Sequence, residues 1–329
     1  MKLKSRALTR RSALAGFAGI AAAPAIVRAQ GTYPNKPVKW INPFPAGGAT
    51  DMLSRIFCSK MTEITGQQWL VENKGGSGGN VGMDALAQSP PDGYILGLGG
   101  IASHAIAPTL YARLPFNAKT DFTFVSTIWQ LPNMLVTNLD MPAKTVPELI
   151  ELLRKNPGKY SYASAGNGTT LHLSGELFKI MAKVDIVHVP YRGGGPAMQD
   201  LLAGQVNMIF DNIPGALAQY RPGKVRGFAV TSKERSPVVP EIPAMSEFLP
   251  GYDINSWTTL TGPAKLPAEI VARLSELSKK ALESEDLKAK FLDLSATAIW
   301  RTPADTVAYR EAEEARLAPI IKASGARVD

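Results

Sequence analysis

A chain of 329 residues with 36 Lys and Arg against 28 Asp and Glu has a formal net charge of +8, which alone would suggest a nucleic-acid or membrane-surface partner. Residues 1–29 hold six of those basic residues and no acid, so the other 300 carry only +2 with no basic stripe, and nucleic acid drops out as a partner. A single cysteine, Cys58, excludes an intramolecular disulfide.

The chain begins with Lys2, Lys4, Arg6, Arg10 and Arg11, continues through an apolar run over residues 12–26, and reaches small residues at Val27-Arg28-Ala29. That order is an export signal. The run is shorter than the roughly twenty residues that span a bilayer, and Pro24 interrupts it. Arg10-Arg11 resembles the twin-arginine type of signal, with general secretory export left open. The expectation is cleavage after Ala29 and a periplasmic protein.

Beyond the signal, short apolar runs, glycine-rich turns and helical periodicity alternate, the pattern of βα units in an α/β protein. Residues 38–44 read as a buried strand, residues 51–65 as a helix, 68–72 as a second strand, 81–88 as a second helix and 94–98 as a third strand. A second set starts near Leu131, with a helix at 146–154, a strand at 160–163 and a helix at 171–181. The alternation continues through 187–189, 206–210 and 225–230. Pro237, Pro240, Pro243 and Pro250 then mark an extended connection, followed by a strand at 257–261 and helices at 268–282 and 306–321. The simplest topology is two α/β lobes. The expected boundaries are 30–133 plus 256–329 for a discontinuous first lobe and 134–255 for the second.

Two loops could hold an anion. Phe44-Pro45-Ala46-Gly47-Gly48-Ala49-Thr50-Asp51 follows a strand and opens a helix, where free backbone N–H groups and the helix dipole favour negative charge. The plainer reading is a tight turn with Asp51 supporting the first helical turn. Ser164-Ala165-Gly166-Asn167-Gly168-Thr169-Thr170 repeats the arrangement in the second lobe, and the pairing suggests a ligand clamped across a cleft. Gly75-Gly76-Ser77-Gly78-Gly79 misses the dinucleotide fingerprint because Val81 stands where Gly or Ala is needed, and reads as a structural turn. His104, His172 and His188 have no metal-ligand spacing, so neither metal nor cofactor is expected. His104 and His172 follow candidate loops and could touch a carboxylate, while His188 reads as sheet lining. Asp211, ending an apolar strand, either orients a ligand or caps the next turn. Cys58 sits in a helical pattern as a buried, inert thiol.

Several segments in order resemble the Bug or TctC family, the periplasmic solute-binding proteins of tripartite tricarboxylate transporters. They include Tyr33-Pro34-Asn35-Lys36-Pro37-Val38, the Pro43–Asp51 loop, Val71-Glu72-Asn73-Lys74-Gly75-Gly76, Tyr162-Ala163-Ser164-Ala165-Gly166-Asn167-Gly168-Thr169, His188-Val189-Pro190-Tyr191-Arg192-Gly193 and Asp200-Leu201-Leu202-Ala203-Gly204-Gln205. The resemblance implies a two-lobed type II periplasmic binding fold that closes on a small carboxylate: a di- or tricarboxylate, an amino acid or an aromatic acid. It implies a ligand site at Phe44, Ala46, Gly47, Gly48, Asp51, Ser103, His104, Ser164, Asn167, Gly168, Thr169 and Asp211. As apolar residues, Phe44 and Tyr191 could supply walls of such a site or belong to the lobe core. The resemblance further implies delivery of the ligand by a monomer to membrane permease subunits, with no reaction catalysed. Asn42 departs from the family, which has an apolar residue before Pro43. The competing readings are an exported hydrolase using Asp211 with His104 or His172, and a ligand-presenting subunit for a sensor kinase.

Overall fold

A computed structural model describes residues 33–329, so the expected export signal at residues 1–29 lies outside the described residues. In chain order the elements are β1 (Val38–Asn42), α1 (Ala49–Thr65), β2 (Trp69–Asn73), α2 (Asn80–Ala87), β3 (Ile95–Gly100), α3 (Ala107–Leu110), β4 (Phe122–Thr137), α4 (Val146–Lys155), β5 (Ser161–Ser164), α5 (Thr170–Ala182), β6 (Val187–Pro190), α6 (Gly194–Leu202), β7 (Met208–Asn212), α7 (Ile213–Tyr220), β8 (Arg226–Val230), β9 (Asn255–Pro263), α8 (Ala268–Glu283), α9 (Glu285–Asp293), β10 (Thr297–Ala298) and α10 (Pro303–Ser324). Residues 101–104, expected as a loop, instead enter a π-helical turn over Ala102–Ile106.

The strands form one continuous ladder in the order β2-β1-β3-β9-β4-β7-β5-β6, with β8 and β10 also paired to β4. β1 pairs in parallel with β2 and β3, and β5 pairs in parallel with β6 and β7. Between these parallel groups run β4 and β9, antiparallel to each other and to their outer neighbours. The fold is therefore α/β with two half-sheets sharing a central antiparallel pair.

β4 carries the joint. Its 16 residues are nearly all buried, as expected of a strand covered on both faces. Up to Pro132 it pairs with β9, with Pro132 opposite Asn255, and from Asn133 onward it pairs with β7 and β8. The sequence reading starts its second set of elements near Leu131, which lies inside this one continuous strand. Here Pro132 sits where the strand changes partners. Beside it, Thr231 donates its hydroxyl to the Ile254 carbonyl at 2.7 Å and accepts the Asn133 N–H at 2.8 Å.

Helices cover both faces of the sheet. α1 packs Phe57 against Trp40, with ring centroids 5.4 Å apart and Trp69 beside them. Cys58 on the same helix is buried, and burial pushes its thiol pKa up, which keeps it inert. α10 packs on β4, α5 and the π-helical turn, burying Leu317 and Ile321. Glu313 on α10 accepts the Trp257 indole N–H at 3.1 Å. No helix of the described residues is long and apolar enough to cross a membrane.

Candidate functional site

Four helices begin directly beyond the carboxyl ends of parallel strands: α1 after β1, α5 after β5, α6 after β6 and α7 after β7. Ligands in open α/β sheets bind in the crevice at those ends. The first residues of all four helices line one cleft of about 460 Å³, within the range of about 300–1,000 Å³ typical of small-molecule sites. Among the residues lining it there is no Lys, Arg or His, and Asp211 is the single acid.

On the first half-sheet, Phe44, Ala46, Gly47 and Gly48 line the cleft, together with Ala49 and Thr50. Gly48 caps α1 without a side-chain hydrogen bond, so first-turn N–H groups are left for a ligand. Asp51 is not among the lining residues. It is buried behind the loop, where it accepts the Gly47 N–H at 2.9 Å, the Asn73 amide at 2.9 Å and the Arg55 guanidinium at 3.1 Å. Burial by itself would raise its pKa, but those hydrogen bonds outweigh it and hold the carboxyl below its ordinary value. Asp51 thus shapes the loop and takes up the Gly47 donor itself. Asn42 and Asn73 complete this scaffold, each donating to the Phe44 carbonyl, at 3.3 and 3.1 Å.

Ser103 lines the cleft and His104 does not. The His104 ring is fully buried against Phe122 and Phe124, with centroids 4.7 and 5.0 Å away. Its Nδ1 accepts the Gly100 N–H at 3.3 Å and lies 2.8 Å from Ser103 Oγ, which makes Ser103 the donor. Burial, reinforced by the Arg310 charge, pushes the His104 pKa down to about 3.

On the second half-sheet, Thr169 and Thr170 line the cleft at the start of α5, and Thr169 caps that helix by accepting the His172 N–H. Ser164 and Gly168 lie outside the lining. Ser164 bonds His188 Nε2 at 2.7 Å, and His188 stacks on His172 at 4.2 Å. His172 is occupied by the Gly168 N–H. Neither His104 nor His172 is therefore in position to touch a ligand, because the loops turn both rings into the core. Gly193, Gly194 and Gly195, which open α6, also line the cleft. Only the family resemblance pointed to that segment, since a Gly-Gly-Gly turn has no side chain to betray a site.

Asp211 is placed where it faces the cleft and also touches the start of α7. It lines the cleft, and its Oδ1 accepts the Asn212 N–H at 2.9 Å at the start of α7. Asn212 and Ser256 were not placed in the site from sequence, yet both line the cleft, as does Thr170 at the end of the second loop. Asn212 donates to Asn133 Oδ1 at 2.5 Å and to Ser256 Oγ at 3.3 Å, and Ser256 meets the Thr170 hydroxyl at 2.6 Å. This chain of polar groups links the partner-change point of β4 to the ligand wall.

A smaller cavity of about 210 Å³ adjoins the cleft, sharing Phe44, Gly78, Gly79 and Ala165 with it. Asn167, Tyr191 and Arg192 line this cavity. The Tyr191 hydroxyl is tied to Asp200 at 2.7 Å. Gly78 and Gly79, in the turn that the sequence left as structural, thus line the cleft.

Helix N-termini converging from two half-sheets on a cleft without cationic side chains define a type II periplasmic solute-binding protein. The sequence profile of the tripartite tricarboxylate transporter family receptor, TctC, matches residues 53–326. The chain belongs to this family of solute-binding receptors. Protein BugT of Bordetella pertussis is 33% identical over 324 residues, which cover 98% of this chain and 99% of BugT. The solved structure of R. palustris Rpa4515 with adipate is 34% identical with a TM-score of 0.87, covering 90% of this chain and 100% of that one. MatC (Rpa3494) from Rhodopseudomonas palustris with bound malate is 32% identical with a TM-score of 0.83, covering 88% and 100%.

Proposed function

We propose that this chain captures a small carboxylate by closing its two lobes and delivers it to a tripartite tricarboxylate-type membrane permease. The observation that carries the reading is the convergence of the α1, α5, α6 and α7 N-termini on a cleft lined by no Lys, Arg or His. Oriented N–H donors hold an anion in such a site without a buried cation. Gly48, Ala49, Thr50, Ser103, Thr169 and Thr170 are the proposed carboxylate-facing groups, and Phe44 the apolar wall. The relatives with adipate and malate support a dicarboxylate; amino and aromatic acids remain in the same class.

The proposed lobes are residues 30–133 with 256–329, and residues 134–255. The partner change on β4 between Pro132 and Asn133 supports that division, with hinge closure there driven by differential binding to the closed form. The protein works as a monomer in the periplasm after cleavage at Ala29. It is a receptor and breaks no bond on this reading, which the burial of His104 and His172 supports: each ring accepts a backbone N–H inside its loop, so neither stands beside Asp211 as a hydrolase would need.

A thermal-shift screen against mono-, di- and tricarboxylates, amino acids and aromatic acids tests the reading. A ligand at ~100 times its dissociation constant adds about 2.7 kcal/mol to the native state. A reproducible shift with one acid family is expected. Stability unchanged by every acid, together with turnover of an ester or amide, would replace this reading with the hydrolase.

A further inference from the structure

Asp211 is 6% exposed, yet its carboxylate receives one hydrogen bond, from the Asn212 N–H, and its Oδ2 has no partner among the described residues. A buried carboxylate so poorly served is costly to ionise. Its surroundings leave no room for a neutralising side chain. A Cβ on Gly215 of α7 would lie 2.3 Å from Oδ2, and one on Gly194 of α6 would lie 3.0 Å from Oδ1.

The neighbouring elements supply no cationic side chain, and only the partial positive ends of α6 and α7 lie beside the carboxylate. β4 places Met134 opposite Asp211, and β5, the other neighbour of β7, has no ionisable residue but the buried Tyr162, which donates to Glu176 at 2.6 Å. α7 has no acid or base before Tyr220 at its far end. The acid of α6, Asp200, is held by the Tyr191 hydroxyl. From the cleft side no Lys, Arg or His faces it. A ligand carboxylate entering this cleft therefore meets a second carboxylate with no cationic side chain to separate them, and like charges sharing a site raise the pKa of one of the pair.

We propose that capture of the carboxylate ligand is coupled to uptake of one proton from solvent onto Asp211, which enters the complex as the neutral acid. This rests on the reading of the ligand as a carboxylate. Burial already pushes the Asp211 pKa up to about 7, against the Asn212 hydrogen bond, so the coupling falls in the neutral range.

Calorimetry of the full-length protein with adipate and with malate, at about pH 8 in two buffers of different ionisation enthalpy, counts the protons. Close to one proton taken up per acid bound is expected, with affinity falling about tenfold per pH unit above 7. Asp211→Asn is expected to take up none. Proton release, no uptake, equal uptake in Asp211→Asn, or tighter binding at higher pH overturns the proposal. If neither acid binds, it is the dicarboxylate reading that fails. The ¹³C carboxyl titration of Asp211 in the free protein then decides this one, supporting it with a midpoint near 7 and overturning it with one near the ordinary 3.8. That titration and the wild-type proton count stand even if the variant does not fold.

Discussion

Gly78 lies so close to the Asn167 carbonyl that a Cβ on it would sit 2.2 Å from that oxygen. One residue belongs to the turn after β2 and the other to the turn after β5, so the contact bridges the two half-sheets along the wall of the cleft. Gly78 also has φ +63°, which disfavours any side chain.

Gly78→Ala is therefore expected to wedge the two loops apart. The nearest obstacle is the backbone carbonyl of Asn167, which cannot rotate away as a side chain could. Affinity for the ligand found in the carboxylate screen should fall more than tenfold, over 1.4 kcal/mol. The unfolding temperature of the ligand-free protein should drop by no more than about 4 °C, since the strain of the left-handed backbone is about 1 kcal/mol. Titration calorimetry and a melting curve separate the two effects.

Tyr111 latches the same contact. Its hydroxyl has one hydrogen to share between the Asn167 carbonyl at 3.0 Å and the Ser77 carbonyl at 3.2 Å. Tyr111→Phe should raise the dissociation constant roughly 3- to 10-fold, the worth of one hydrogen bond of about 0.5–1.5 kcal/mol. The loss should appear mainly as faster ligand release in stopped-flow measurements. An unchanged off-rate would mean that the hydroxyl has no part in holding the lobes together.

Asp51 supports the ligand loop rather than the ligand. Asp51→Ala strands the Gly47 N–H and the Asn73 amide, and should cost about 2 kcal/mol at pH 7. Because its folded pKa is lowered from 3.8, the stabilisation is fully present above the unfolded value and disappears as pH falls through the folded one. The gap between wild type and variant in urea melts should thus narrow below about pH 4.

The buried histidines predict acid sensitivity. His104 and His188 are lowered to about 3 and His172 to about 4, burial being the largest cause in each. A histidine whose folded pKa lies below its unfolded 6.5 contributes stability above 6.5 that is lost as pH falls toward the folded value. The unfolding temperature should decline steadily from pH 7 to pH 4. For His104 alone the loss amounts to at most about 5 kcal/mol. His104→Gln, which keeps an acceptor for the Gly100 N–H, should melt with a shallower pH slope.

The sequence by itself determined the α/β class, the order of the βα units, the family and the two loops that open α1 and α5, because hydrophobic periodicity and glycine punctuation are local properties. It also identified Asp211 as an acid at a strand end. The direction of each side chain within a loop was not local information. Asp51, His104, Ser164 and Gly168 carry the right chemistry in the right loops, yet the strands behind them draw these residues away from the cleft, Asp51 onto Arg55 and Asn73, His104 among Phe122 and Phe124. Asn212, Ser256 and the α6 N-terminus reach the ligand wall only because β4 changes partners between Pro132 and Asn133. Pairings between residues seventy or more positions apart leave no periodic trace, so the tertiary structure alone decided which polar groups meet at the cleft and which are spent holding it in shape.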